Sequence, residues 1–279
     1  MSDTALVLGG GGPVGGAWLA GVLAALTEAG IDLRSADVVI GTSAGAVFGS
    51  RLLAGVPAAD LYERQLNGAD AVQLPVTARQ TARFLWAALG SRDPHRSVQR
   101  LGRAALHART GPESDVFDTV GTLLGDVRDW PERELRITAV DARTGQLEVF
   151  DSRSGTTLLE AVAASCAVPV VWPPVTVAGR RWMDGGSRST ANLQLARGYR
   201  RVLAVVPIPQ AVGPHPSASR QAAELSDDGT RVLLLSPDRP ARRTMGRNLA
   251  DDTRRPAAAR AGHAQAGAVA PSVVDIWQG

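Results

Sequence analysis

The sequence contains no lysine; its 30 basic residues are all arginine. That absence excludes a Walker-type phosphate loop, Schiff-base chemistry and a Ser–Lys dyad. There is one cysteine, Cys166. A single thiol forms no internal disulfide and leaves structural zinc short of ligands. No arginine-rich run is interleaved with aromatics, and a formal charge of +3 over 279 residues is weak, so no nucleic-acid partner is expected. The apolar run from Ala17 to Leu26 is too short to span a bilayer. No basic region or cleavage site precedes the first apolar segment, which points to a cytoplasmic protein.

What remains is an ordinary globular composition, 44% hydrophobic and rich in alanine, glycine and arginine. Its length suits one domain over residues 1–279. Ala5 to Leu8 reads as a buried strand ending in four glycines, and Trp18 to Ala29 as a helix stopped by Gly30. Val38 to Ile40 is a second strand, and a helix runs from about Ala44 to Leu53. Strand, helix, strand, helix argues for a parallel sheet covered on both faces. Residues 57–131 read as a helical lobe on the sheet edge. Within it, Phe84 to Leu89 is either a core helix face or a lid making peripheral contact with a lipid surface. Strand character returns at Leu135–Val140 and Gln146–Phe150, then at Val202–Val206 and Val232–Leu235, before a tail helix over Thr244–Ala266.

Three motifs could carry chemistry. Gly41-Thr42-Ser43-Ala44-Gly45 is a G-x-S-x-G between a predicted strand and a predicted helix, the context of a nucleophile elbow. The bland alternative is a helix cap. Gly10-Gly11-Gly12-Pro13-Val14-Gly15 fits G-x-G-x-x-G, which suits either a dinucleotide-binding turn or an oxyanion hole from the Gly11 and Gly12 amides. The dinucleotide reading wants an acid at the end of the second strand; Asp37 lies before that strand instead. Asp184-Gly185-Gly186 is a carboxylate followed by two glycines, or an ordinary turn. Of the four histidines, His215 follows Ser43 and Asp184 in hydrolase order, but its Pro-rich loop suggests an exposed side chain. His95 and His107 fall in the helical lobe and His263 on the tail, and none is assigned to catalysis.

Taken together, the three motifs resemble the patatin-like phospholipase family. The likeness runs over most of residues 5–206 and includes Ala164-Ser165, Pro169 and Trp172-Pro173-Pro174-Val175 ahead of Asp184. The resemblance implies a three-layer α/β/α sandwich with a central, mainly parallel sheet. It also implies a Ser–Asp dyad that needs neither metal nor cofactor to hydrolyse acyl esters or phospholipids, with Ser43 as nucleophile, Asp184 as base and Gly11 and Gly12 as the oxyanion hole. The family usually carries a basic residue where Val14 stands; Arg188 is a candidate substitute. Two other readings stay open: a lipid- or acyl-binding protein with a silent site, and a dinucleotide binder.

Overall fold

The computed structural model describes residues 3–72 and 76–277. In chain order the strands are β1 (Thr4–Leu8), β2 (Val38–Gly41), β3 (Glu134–Asp141), β4 (Leu147–Phe150), β5 (Val175–Val177), β6 (Arg180–Asp184), β7 (Arg201–Val205) and β8 (Arg231–Leu235). The helices are α1 (Gly12–Glu28), α2 (Ala44–Leu53), α3 (Ala58–Leu66), α4 (Ala78–Leu89), α5 (Pro94–Leu106), α6 (Glu113–Leu124), α7 (Leu158–Cys166), α8 (Ala218–Asp227), α9 (Arg239–Met245) and α10 (Arg255–Trp277).

All these strands join one sheet. Five run parallel in the order β3-β2-β1-β7-β8, and β4, β6 and β5 add antiparallel pairings at the β3 side. Side chains alternate across β1: Leu6 and Leu8 enter the larger core, and Ala5 and Val7 the smaller one. The larger core lies under α1, α2, α3, α6, α7 and α10; α8 and short 3-10 turns cover the other face. This is the three-layer, mainly parallel arrangement that the resemblance implies.

Ile137 of β3 pairs with Gly41 of β2 and with Phe150 of β4, so those two strands occupy opposite edges of β3. β4 and β6 share partners Ala139 and Val140, so they too lie on opposite edges. It follows that β2 and β6 share one edge. β2 uses it up to Ile137 and β6 from Ala139 onward, running the opposite way. The carboxyl ends of β2 and β6 therefore meet end to end, and this brings Ser43 and Asp184 together.

Between residues 57 and 131, α3 and α6 contribute Leu61, Val116, Val120 and Leu124 to the main core. The hairpin of α4 and α5 packs through Ala87, Ala88, Val98 and Leu101 in a cluster of its own with Val140 and Met183. A capping box starts α4, with Thr77 and Gln80 satisfying each other's backbone amides. Ala87 and Ala88 face inward, while Leu85, Trp86 and Leu89 are 49%, 71% and 67% exposed. The stretch is thus neither wholly core nor wholly surface.

Two boundaries differ from expectation. Helix α1 starts at Gly12, six residues before Trp18, because Gly15 and Gly16 sit buried where tight packing outweighs their poor propensity. The tail is two helices. Asp238 caps α9 through the Ala241 amide, and Gly246, at φ +71°, ends it. Among the described residues no helix is long and apolar enough to cross a membrane.

Candidate active site

Ser43 sits between the end of β2 and the start of α2 with φ 54° and ψ −120°, a strained conformation for a residue with a side chain. Gly45 allows the turn. A methyl group there would lie 1.9 Å from the Leu8 carbonyl oxygen of β1. Gly45→Ala is therefore expected to destabilise the fold by about 3 kcal/mol, read as a fall in the denaturation midpoint. An unchanged midpoint would mean that β1 and α2 are not so closely apposed.

Around the turn the backbone is held by buried hydrogen bonds. The Ser43 amide donates to Ser165 Oγ at 2.8 Å. Thr42 Oγ1 and Thr138 Oγ1 are 2.8 Å apart, and Asn192 Nδ2 donates to Thr42 Oγ1 at 3.1 Å and to the Ser189 carbonyl at 2.7 Å. Gln221 of α8 ties the Ser189 hydroxyl at 2.9 Å and accepts the Leu193 amide at 2.9 Å. One polar network thus fixes the segment after Asp184 to the elbow. Thr42 and Ser43 lie in the motif read from the sequence and Ser165 in the stretch ahead of Asp184, whereas Thr138, Asn192 and Gln221 were not singled out.

Asp184 is the last residue of β6 and is 5% exposed; Ser43 is 8% exposed. The Asp184 carboxylate accepts the Gly186 amide at 2.6 Å and shares a pocket with the Ser43 side chain. Burial pushes its pKa up to about 6, against the opposing pull of the Ser43 hydroxyl and the Gly186 amide. The Cys166 thiol lies beside both groups, and burial together with the Asp184 charge raises its pKa and holds it protonated. It is no rival nucleophile.

The glycine loop completes the third side. Gly10 approaches Ser43 so closely that a methyl group on it would lie 3.3 Å from the Ser43 Cβ. Gly12 adopts φ +60° as α1 opens. Among the described residues, the amides of Gly11, Gly12 and Ala44 donate no hydrogen bond. Gly185, beside Asp184, packs against Thr138, and Gly15 against Pro207.

Two apolar spaces open onto Ser43. The inner one, about 80 Å³, runs past Val47, Phe48, Val116, Val120 and Cys166. It ends at a buried group in which Asp70 accepts from Arg51 at 2.8 Å and from Gln65 at 2.7 Å, while Arg255 pairs with Asp252 and Gln65. The outer space, 340 Å³, contains Ser43, Asp184 and the Gly10–Gly12 loop and is roofed by Gln80, Thr81, Phe84 and Leu85 of α4.

The remaining candidates lie elsewhere. His215 is buried at 8% exposure, not solvent-facing as its loop suggested; neighbouring Gly213 lies against the Ala88 carbonyl and Ser97 Oγ of the α4–α5 hairpin, and among the described residues His215 Nε2 has no hydrogen-bond partner. Its pKa is lowered, first by burial and then by Arg188. Arg188 is exposed and is not among the groups acting on Asp184. Val14 is fully buried in the main core. His107 bonds to the Arg103 carbonyl, His263 pairs with Glu28 and stacks on Tyr62, and His95 is exposed on α5. Asp37 accepts the Asp3 and Thr4 amides at the start of the sheet, the end opposite the glycine loop. Among the described residues no three His, Cys, Asp or Glu side chains gather as a metal-ligand group.

Curated proteins contain no match to this chain. Among solved structures, VipD from Legionella pneumophila is similar at 14% identity and a TM-score of 0.53, over 98% of this chain and 67% of that one. ExoU in its heterodimeric complex with SpcU, from the type III secretion system of Pseudomonas aeruginosa, is similar at 15% identity and a TM-score of 0.44, over 99% of this chain and 52% of that one. The chain thus spans two thirds of VipD and about half of ExoU. The model of the patatin-like phospholipase family matches residues 6–197, a span holding the glycine loop, the Ser43 elbow and Asp184, and the chain belongs to that family.

Proposed function

We propose that the protein is a serine acyl hydrolase of lipid esters working through a Ser43–Asp184 dyad. The observation that carries this reading is Ser43, on a strained elbow, in one pocket with a carboxylate that burial has made more basic. As the Ser43 oxygen attacks the ester carbonyl carbon, its proton passes to Asp184. The oxyanion is met by the Gly11 and Gly12 amides, with Ala44 at the helix start as a further donor that the sequence reading did not name. Asp184 then returns the proton to the departing alcohol oxygen as the ester C–O bond breaks, leaving acyl-Ser43. Water attacks the acyl group and gives a proton to Asp184, the fatty acid departs and Ser43 regains its hydrogen.

The two apolar spaces suit this chemistry. They meet at Ser43, so the acyl chain and the leaving part of a lipid can occupy different ones. Loss of fatty acid from phosphatidylcholine and of nitrophenol from p-nitrophenyl butyrate is expected for the wild-type chain without added cofactor. No release from either substrate contradicts the hydrolase reading.

The silent-site reading draws on Val14, whose burial leaves the loop without the usual charge. It predicts lipid binding without turnover. For a dinucleotide binder, the position of Asp37 removes the residue that would hold a ribose.

A further inference from the structure

The α4–α5 hairpin carries an unusual concentration of one charge. Residues 76–112 contain seven arginines, at 79, 83, 92, 96, 100, 103 and 109, and a single acid, Asp93. The Asp93 carboxylate is engaged as the cap of α5, accepting the Arg96 amide at 2.8 Å. Among the described residues none of the seven arginines forms an ion pair. Elsewhere in the fold such pairs are common, as in Arg51 and Arg64 with Asp70 or Arg180 with Asp141.

Three of these arginines form a row. Arg96, Arg100 and Arg103 are spaced to share one face of α5, away from buried Val98, Leu101 and Ala105. They line a 330 Å³ cleft closed by Gly90, Ser91 and Gln99. The Arg100 Nε is buried and has no hydrogen-bond partner among the described residues, a donor left without an acceptor. The same guanidinium lies 4.6 Å over the Trp86 ring, so the cleft and the exposed indole are one surface. A second depression, bordered by Arg79, Arg83, His107 and Arg109, flanks the start of α4 and contains no acid either.

We propose that this hairpin docks the protein on an anionic lipid bilayer, with lipid phosphates in the Arg96–Arg100–Arg103 cleft and Trp86 and Leu89 in the interfacial layer. Guanidinium groups match phosphate oxygens in geometry and charge, and tryptophan settles at the boundary between headgroups and acyl chains. The proposal rests on the acyl-hydrolase reading in one respect. The inward side of α4 roofs the Ser43 space, so docking here would set the mouth of that space on its substrate. A nucleic acid would use the arginines but leave Leu85 and Leu89 exposed.

The test is vesicle sedimentation with the Ser43→Ala chain, which avoids hydrolysis during the assay. Vesicles are phosphatidylcholine alone or an equimolar mixture with phosphatidylglycerol. Binding is expected only to the mixture and is expected to weaken with salt. Arg96→Gln/Arg100→Gln/Arg103→Gln should weaken it about tenfold or more, since each basic residue near an anionic surface is worth roughly fivefold. Trp86→Ala should weaken it severalfold. The charge-matched control Arg239→Gln/Arg242→Gln/Arg243→Gln, on α9, should bind nearly as the parent does. Equal losses in both triple variants, an unaffected α5 variant, or no binding to the mixture would overturn the proposal. So would retention of single-stranded DNA through the same three arginines without vesicle binding. Turnover of p-nitrophenyl butyrate by the α5 variant with Ser43 restored should match wild type. A chain inactive on that soluble ester yet bound to anionic vesicles would fail the hydrolase reading and leave the docking site standing.

Discussion

Ser43→Ala should lower kcat/KM for p-nitrophenyl butyrate by on the order of 10⁴-fold or more, and Asp184→Asn by about 10³-fold. The first substitution removes the attacking atom, so only background reaction in the pocket remains. The second keeps the shape and the acceptor oxygen for the Gly186 amide but takes away the group that receives the Ser43 proton. Because the two side chains act in one proton transfer, the double variant should lose little more than Ser43→Ala alone. KM should change little in each, since the acyl chain is held by the apolar side chains of Val47, Phe48, Val116 and Val120, which both substitutions leave in place. In the wild type, kcat/KM should rise with pH and level off above about 6, where Asp184 becomes a carboxylate able to act as base. Equal turnover by all three single-chain forms would remove the dyad from the account.

The same substitution has an opposite expected effect on stability. The ordinary aspartate pKa of 3.8 is raised in the folded chain to about 6, chiefly by burial. Below the unfolded value both states hold the proton and the buried group costs little. Between the two values the unfolded chain has lost its proton while the folded chain keeps it, so stability falls as pH rises. Above the folded value the loss is complete, at about 3 kcal/mol from the free-energy equivalent of the shift. Asp184→Asn removes this penalty. At pH near 8 the variant should melt about 5 °C or more above wild type, and at pH near 4 the two should nearly coincide. A variant that melts at or below the wild-type temperature at the higher pH would show that the carboxylate is better solvated than its surroundings indicate. A residue whose loss stabilises the fold while removing activity is what a functional site under strain produces.

The elbow was legible in the sequence because it depends on neighbours in the chain. An apolar strand, two glycines around Ser43 and an alanine-rich helix are local signals, and α2 spans Ala44–Leu53 as read. The partnership of Asp184 with Ser43 was not legible in that way. It arises from an antiparallel strand that takes over the edge of β3 where β2 stops, a pairing of Ala139 with Asp184 that no local pattern announces. Only the family resemblance pointed to it. The supports at Thr138 and Asn192 were invisible for the same reason, being single polar residues joined across more than fifty positions. His215 was misread because a Pro-rich loop normally lies in solvent, whereas this one packs at Gly213 against Ala88 and Ser97 of the α4–α5 hairpin. Arg188 was one residue type in a plausible place, and its position relative to the carboxylate could come only from the turn after β6.

The central claim is that Ser43 is a nucleophile made reactive by Asp184, and covalent labelling tests it most directly. The wild-type chain, Ser43→Ala and Asp184→Asn are each treated with a fluorophosphonate, and the adduct is located by peptide mass spectrometry. The account predicts one phosphonylated residue in the wild type, Ser43, formed far more slowly in Asp184→Asn and absent in Ser43→Ala. A wild-type chain that stays unlabelled, or one whose label sits on another residue and survives Ser43→Ala, would contradict it.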